Sequence, residues 1–224
     1  VKPAIAIFVK TPGHSPIKTR LAAHLGRTLA EEWHRLSAAC VAQSACDSGL
    51  PVYWAVAEAS AAGDSLWSDL PVLVQPDGSL GRRMQTVHDR LIEDHGAGIL
   101  VGADLPQLRA ADLERSRQWL APDQPRRILG PAHDGGFWLF GSNHRHPLHA
   151  WQSVTYSRSD TAREFIRALD GITPAPWEML QRLTDLDELE DLPAVLNELR
   201  DLPDPTRPQV RLIEWLRECI EQAA

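Results

Sequence analysis

The sequence predicts an α/β fold: a Rossmann-like three-layer sandwich with a mostly parallel sheet. Three observations predict it. Apolar runs such as Ala4–Val9 and Ile99–Val101 are uninterrupted, as in strands buried on both faces. Through about residue 120 these runs alternate with segments whose apolar residues recur every three or four positions. The corners between them carry glycine and proline, which punctuate elements.

Ala4–Val9 reads as the first strand, followed by a Pro- and Gly-containing loop over 10–20. Leu29, Trp33, Leu36 and Cys40 mark a helix face. Val52–Val56 and Val72–Val74 read as strands, and Leu80, Met84, Val87 and Leu91 mark the next helix. Ile99–Val101 is a buried strand that must stop before Pro106, which cannot donate to a sheet ladder. A helix over 111–120, a strand over 128–131, a tight loop over 132–136 and a strand over 137–141 follow. Residues 143–149 hold His144, His146 and His149 at spacings poor for zinc, and read as an exposed loop. Thr161 and Glu164 match a capping box ahead of a helix with Phe165 and Leu169 on its face. Residues 177–183 fit no single element. A helix is expected from Thr184, its early acids suiting the helix dipole, with Leu189, Leu192, Leu196 and Leu199 on one face. A Pro-rich connector leads to a last amphipathic helix.

The 224 residues suit one domain spanning 1–224, with 203–224 as a C-terminal linker and helix. Apolar residues make up 43% and charged residues 24%, the composition of a soluble globular protein. A net charge of -7 argues against nonspecific nucleic-acid binding. No apolar run approaches the ~20 residues of a membrane span. The amino terminus enters a strand pattern without a signal-peptide layout. Cys40, Cys46 and Cys219 lie in helical patterns and read as buried reduced thiols of a cytoplasmic protein.

The first loop carries Lys10, Lys18 and Arg20 and no acid. Loop amides and a helix amino terminus favour anions, so a strand, a basic loop and a helix make a phosphate-binding layout. The alternative is a solvated connection. Gly13, Lys18 and Thr19 approximate a P-loop, but the second glycine is missing and the lysine comes one residue early. A second basic corner runs from Gln75 to Arg83; there Gln75 and Arg82 are candidates for base or ribose contacts, against the alternative of a turn and a solvated helix face. Asp104 follows a predicted strand, where open α/β sheets place their ligands. Its carboxylate suits Mg²⁺ or Mn²⁺, unless it caps the next turn. Asp134, before two glycines, projects a second carboxylate unless the segment is simply a hairpin turn.

These segments form an ordered set: 8–13, Lys18-Thr19-Arg20-Leu21, Gln75 with Leu80-Gly81-Arg82-Arg83-Met84, Gly102 to Pro106, Gly130 to Phe137, then Thr155 and Thr161. The set resembles the glycosyltransferase-like family associated with radical-SAM and selenium-domain proteins. That family is related to molybdenum-cofactor guanylyltransferase and phospholactate guanylyltransferase, within the nucleotide-diphospho-sugar transferase superfamily. The resemblance covers about residues 4–190. It implies a glycosyltransferase A-type fold, a nucleoside phosphate near the first loop and a divalent metal at Asp104. The chain departs from the family pattern at Ser15 and Pro16, Arg82, Leu105 and Phe137.

The activity expected from these features is a metal-dependent transfer from a nucleotide-activated donor, a nucleotide sugar or nucleoside triphosphate, to a small-molecule acceptor. Glycosyl transfer leads, with nucleotidyl transfer releasing pyrophosphate as the alternative. Asp104, Asp134 and Lys18 are the expected catalytic residues. Lys10, Thr11, Gly13, Lys18, Arg20, Gln75, Gly81 and Arg82 are the expected nucleotide contacts. Asp104 and Asp134 are the expected metal ligands. A non-catalytic nucleotide-binding module, motivated by Ser15 and Pro16, and an NTPase dependent on Lys18 are the rivals. Tryptophan on the last helix is the candidate contact for a homodimer.

Overall fold

Seven strands, β1 (Ala4–Val9), β2 (Val52–Val56), β3 (Val72–Val74), β4 (Gly98–Gly102), β5 (Arg127–Pro131), β6 (Phe137–Ser142) and β7 (Trp177–Met179), form one sheet. The computed structural model describes residues 2–223; Val1 and Ala224, the ends of the expected domain span, lie outside the described residues. The strand order is β3-β2-β1-β4-β6-β5-β7. Strand β6 runs antiparallel to both neighbours, and every other pairing is parallel. The chain winds outward from β1 to β3, then returns to place β4 on the other side of β1. The carboxyl ends of β1 and β4 are therefore a topological switch point, where open sheets bind ligands. Phe8 pairs with Gly102 across these two strands, so the chain leaves the sheet at the same level on both.

The helices are α1 (Thr19–Leu25), α2 (Arg27–Asp47), α3 (Leu80–His95), α4 (Ala110–Leu120), α5 (Leu148–Gln152), α6 (Thr161–Asp170), α7 (Leu192–Arg200) and α8 (Arg207–Ala223). Successive strand residues point to opposite faces. Ile5, Ile7, Ile99 and Val101 pack with Val41, Leu113 and Leu120 of α2 and α4. Ala4, Ala6, Leu100 and Phe140 pack with Met84, Leu91, Trp151 and Phe165 of α3, α5 and α6. A third cluster joins Leu21 and Trp33 to Val195, Leu199, Leu212 and Leu216, so α7 and α8 cover the outer side of α1 and α2.

Gly81 sits where α3 passes the end of α5. A Cβ there would lie 2.4 Å from the Trp151 carbonyl oxygen, with backbone rather than a flexible side chain in the way. Gly81→Ala is expected to cost about 1–3 kcal/mol through overpacking, read as a lower urea midpoint with an unchanged slope. An unchanged midpoint would show that the two helices part freely.

Several local expectations are corrected. No helix begins at Thr184. Residues 184–187 belong to no helix or strand, Glu188 is a bend, a single 3₁₀ turn covers Leu189–Asp191, and α7 starts at Leu192 with Pro193 in its first turn. Proline is preorganised for that position and marks the start. The stretch that fitted no element contains β7, paired with β5. His146 is buried rather than on an exposed loop. Cys46 is exposed, while Cys40 and Cys219 are buried. Trp215 of α8 is half-buried, its ring tilted against that of Trp33 with centroids 6.2 Å apart. Among the described residues no helix is long and apolar enough to cross a membrane.

Candidate active site

Lys18 ends the first loop at the N-cap of α1, with φ +42°. A non-glycine residue rarely holds this left-handed conformation, and such strain persists where surrounding contacts fix it. Those contacts are three carboxylates. The Lys18 ammonium lies 3.2 Å from Asp104, 2.7 Å from Asp185 and 2.8 Å from Asp187, with its side chain 7% exposed. Burial alone would lower its pKa; the three carboxylates outweigh that and keep it protonated.

Asp104 stands just past the end of β4, as its sequence position predicts. Helix α2 fixes the loop that carries it. The Ser37 hydroxyl donates to the Ala103 carbonyl at 2.6 Å. One turn away, His34 faces Asp104 Oδ1 with Nδ1 at 3.2 Å and the Lys10 carbonyl with Nε2 at 2.9 Å. Both neighbours are acceptors, and the ring serves both when each nitrogen carries a proton. Burial raises the Asp104 pKa, but Lys18 and then His34 overcome it and hold the carboxyl well below the usual range. Asp185 behaves oppositely. Burial pushes it up, Lys18 opposes, and Asp104 and Asp187 push it further, to about 7. Three half-buried acids around one ammonium leave an excess of negative charge.

Arg20 donates to Asp187 at 2.5 Å and to Glu188 at 2.9 Å. Lys10 donates to the Pro16 carbonyl at 3.3 Å. Lys10, Lys18, Arg20, Asp104 and Asp134 all line one open cleft of about 1030 Å³, together with Asp185, Asp187 and Arg158. Asp134 sits in the β5–β6 hairpin, where its Oδ1 accepts from the Gly136 amide at 2.8 Å. Lys10, Lys18 and Asp104 also border a more apolar cavity of about 330 Å³ walled by Phe8, Leu80, Met84 and Phe137. Gln75 lines this cavity. Its amide nitrogen donates to the Ala55 carbonyl at 2.8 Å, which fixes the side chain's orientation.

Four expected nucleotide contacts lie elsewhere. Thr11 is buried against Trp67, whose indole N–H donates to its hydroxyl at 3.0 Å. Gly13 is exposed at φ +83° and borders neither cavity. Gly81 packs on Trp151, as described above. Arg82 points to solvent, and it is Arg83 that borders the smaller cavity. Helical spacing explains the exchange: Leu80, Arg83 and Met84 share a face, and Arg82 does not.

The donor set of Asp104, Asp185 and Asp187 is all oxygen and carries excess negative charge, which suits a hard divalent cation. Lys18 stands at its centre, and among the described residues no three Asp, Glu, His or Cys side chains form a ready coordination shell.

Sheet order and switch point define an open α/β fold that matches a solved structure of the nucleotide-diphospho-sugar transferase class. A protein of Desulfovibrio desulfuricans G20 assigned to that class superposes with a TM-score of 0.79 at 19% identity over 95% of both chains. A nucleotidyl transferase of Methanothermobacter thermautotrophicus gives 0.55 at 12% identity, over 89% of this chain and 99% of its own. A cytidylyltransferase of Leptospira borgpetersenii gives 0.53 at 13%, over 99% and 96%. Residues 37–158, more than half of the chain, match the family described as an uncharacterized protein conserved in bacteria (DUF2064), and the chain belongs to it. No curated protein matches the sequence.

Proposed function

We propose that the chain is a transferase acting on a nucleotide-activated donor, with a divalent cation in the acidic cleft. The observation that carries this reading is the convergence of Lys18 and Asp104 at the switch point, where a polar cleft opens onto an apolar cavity. The smaller cavity has apolar walls and an oriented amide at Gln75, the makings of a base pocket. The larger cleft would take the phosphates and the acceptor. Lys10, Lys18 and Arg20 would lie along the phosphates; Lys18 and Arg20 would change partners from carboxylate to phosphate. Asp104, with Asp185 and Asp187, would hold Mg²⁺ or Mn²⁺. When bound, the cation supplies charge neutralisation at the leaving group. Asp134, on the facing hairpin, is placed to accept the proton of an acceptor hydroxyl or to add a ligand to the cation.

The leading chemistry is glycosyl transfer, which releases a nucleoside diphosphate. The second is nucleotidyl transfer, which releases pyrophosphate. It is favoured by the names of two similar folds above and by a third, a CMP:2-keto-3-deoxy-manno-octonic acid synthetase complexed with CTP, at a TM-score of 0.52 and 13% identity.

Calorimetry with UDP, GDP, CDP and their sugars, with and without Mn²⁺, tests the reading. Binding that strengthens with Mn²⁺ is expected, and no binding in either condition would refute it. In a variant Asp104→Asn, Mn²⁺-dependent product release is expected to fall by about 100-fold or more. Turnover that survives this change would remove Asp104 from the mechanism. Assaying nucleoside diphosphate against pyrophosphate decides between the two chemistries.

A further inference from the structure

Helices α7 and α8 touch neither cavity, yet each reaches an acidic loop through a polar side chain, the half-buried Glu198 and the buried Gln209. Glu198 of α7 accepts from the Thr184 hydroxyl at 2.6 Å, the Thr184 amide at 3.1 Å and the Gln107 amide group at 2.8 Å. The same Gln107 nitrogen donates to the Thr184 carbonyl at 2.8 Å. Thr184 is thus held by its amide, its hydroxyl and its carbonyl together. It immediately precedes Asp185, in a segment over 184–187 that belongs to no helix or strand. Gln107 lies on the loop that carries Asp104.

Gln209 of α8 acts on that loop from the other side. Its Nε2 donates to the Pro106 carbonyl at 2.8 Å and the Leu108 carbonyl at 3.1 Å. Its Oε1 accepts from the Thr206 amide at 2.8 Å and the Thr206 hydroxyl at 3.0 Å, closing the start of α8. Gln107 and Gln209 are 1% and 2% exposed, so water does not compete for these bonds.

We infer that Glu198, Gln107 and Gln209 are positioning residues that set the spacing of Asp104 against Asp185 and Asp187 from outside the cleft. The stitch joins the two carboxylate loops to each other and to the C-terminal helices. A shift of either loop would open the acidic cluster without removing any residue from it. The consequence for ligands rests on the cation reading proposed above; the stitch itself does not.

Glu198→Leu tests it at similar volume, because it removes every acceptor from the Thr184 amide, the Thr184 hydroxyl and the Gln107 amide group. Gln209→Glu keeps the acceptor that closes α8 and loses both donors to the loop. Thr184→Ser keeps the hydroxyl bond and serves as the conservative control. Two readouts are taken on the full chain: hydrogen exchange of peptides covering 103–108 and 182–188, and Mn²⁺ binding by electron paramagnetic resonance. Glu198→Leu is expected to speed exchange in both peptides and weaken Mn²⁺ about tenfold, as loss of outer-sphere partners does. Gln209→Glu should speed exchange in 103–108, and Thr184→Ser should match wild type. A lower melting temperature with both readouts unchanged would overturn the proposal, as would exchange that rises only within α7. If wild type binds no Mn²⁺ while the Glu198→Leu peptides still exchange faster, the positioning role stands and the cation reading falls.

Discussion

Lys18→Met is expected to destabilise the fold by roughly 3 kcal/mol at pH 7. The lysine is the shared counter-ion of Asp104, Asp185 and Asp187. Removing it leaves three half-buried carboxyl groups facing one another without their counter-ion. Breaking a buried pair in this way is far costlier than losing a surface pair, because the remaining charge cannot be hydrated. The acids are 23–32% exposed, so water relieves part of the penalty and the estimate sits at the low end of the range for buried pairs. The deficit should shrink toward pH 5, as the unpaired carboxyls take up protons in the folded state. Adding Asp185→Asn to Lys18→Met should recover part of the loss at pH 7. Urea unfolding at pH 7 and pH 5.5 measures all three effects. A single variant with the wild-type midpoint would show that the cluster is already relaxed by water.

The second large effect is acid sensitivity at the opposite end of the sheet. His88 and His146 are buried, each with Nε2 near the Ser142 hydroxyl, at 3.1 Å and 3.2 Å. That hydroxyl donates to the His144 carbonyl at 2.8 Å, so both rings donate to its lone pairs through Nε2. Each is then a neutral imidazole, with a buried Nδ1 that has no partner among the described residues. Burial pushes His88 down to about 3, with His144 adding to it. Burial pushes His146 down to about 2, with His88, His144 and Arg127 adding to it. In the unfolded chain both rings titrate near ~6.5. Between that value and the folded values the unfolded state binds more protons, so stability rises with pH. The contribution is complete above about pH 6.5 and is lost on acidification, at up to about 1.4 kcal/mol per pH unit for each ring. Going from pH 7 to pH 5 should cost on the order of 3–4 kcal/mol for the pair. Denaturant midpoints across that range give the slope, and His146→Leu should roughly halve it. An equal slope in the variant would assign the acid loss to other groups.

The sheet was legible in the sequence because its strands are uninterrupted apolar runs, a signal that survives without knowledge of partners. The reversal of β6 was not, since an apolar strand carries no mark of its direction. Lys18, Arg20, Asp104 and Asp134 were legible as charges at predicted strand ends, and they share one cleft. The other half of the acidic cluster was misread. Asp185 and Asp187 alternate with Leu186, which is fully buried, and that period of two marks an extended segment rather than a helix start. Pro193, in the first turn of α7, is the sequence mark of the true helix start. His34 was hidden for another reason. It lies beside Trp33 on a helix whose apolar spacing explains the pattern without it, and only the packed fold turns it toward Asp104.

The contact between Lys18 and Asp187 joins positions 169 residues apart, about three-quarters of the 224-residue chain. Loop closure over such a separation is entropically expensive until the intervening sheet has formed. The rim is therefore expected to form after the sheet beneath it. Lysine replacements should then hasten unfolding and leave the refolding rate nearly untouched. A nascent or partly unfolded chain would hold the hydrophobic layers and no cleft, so ligand capture is confined to molecules whose two ends have met.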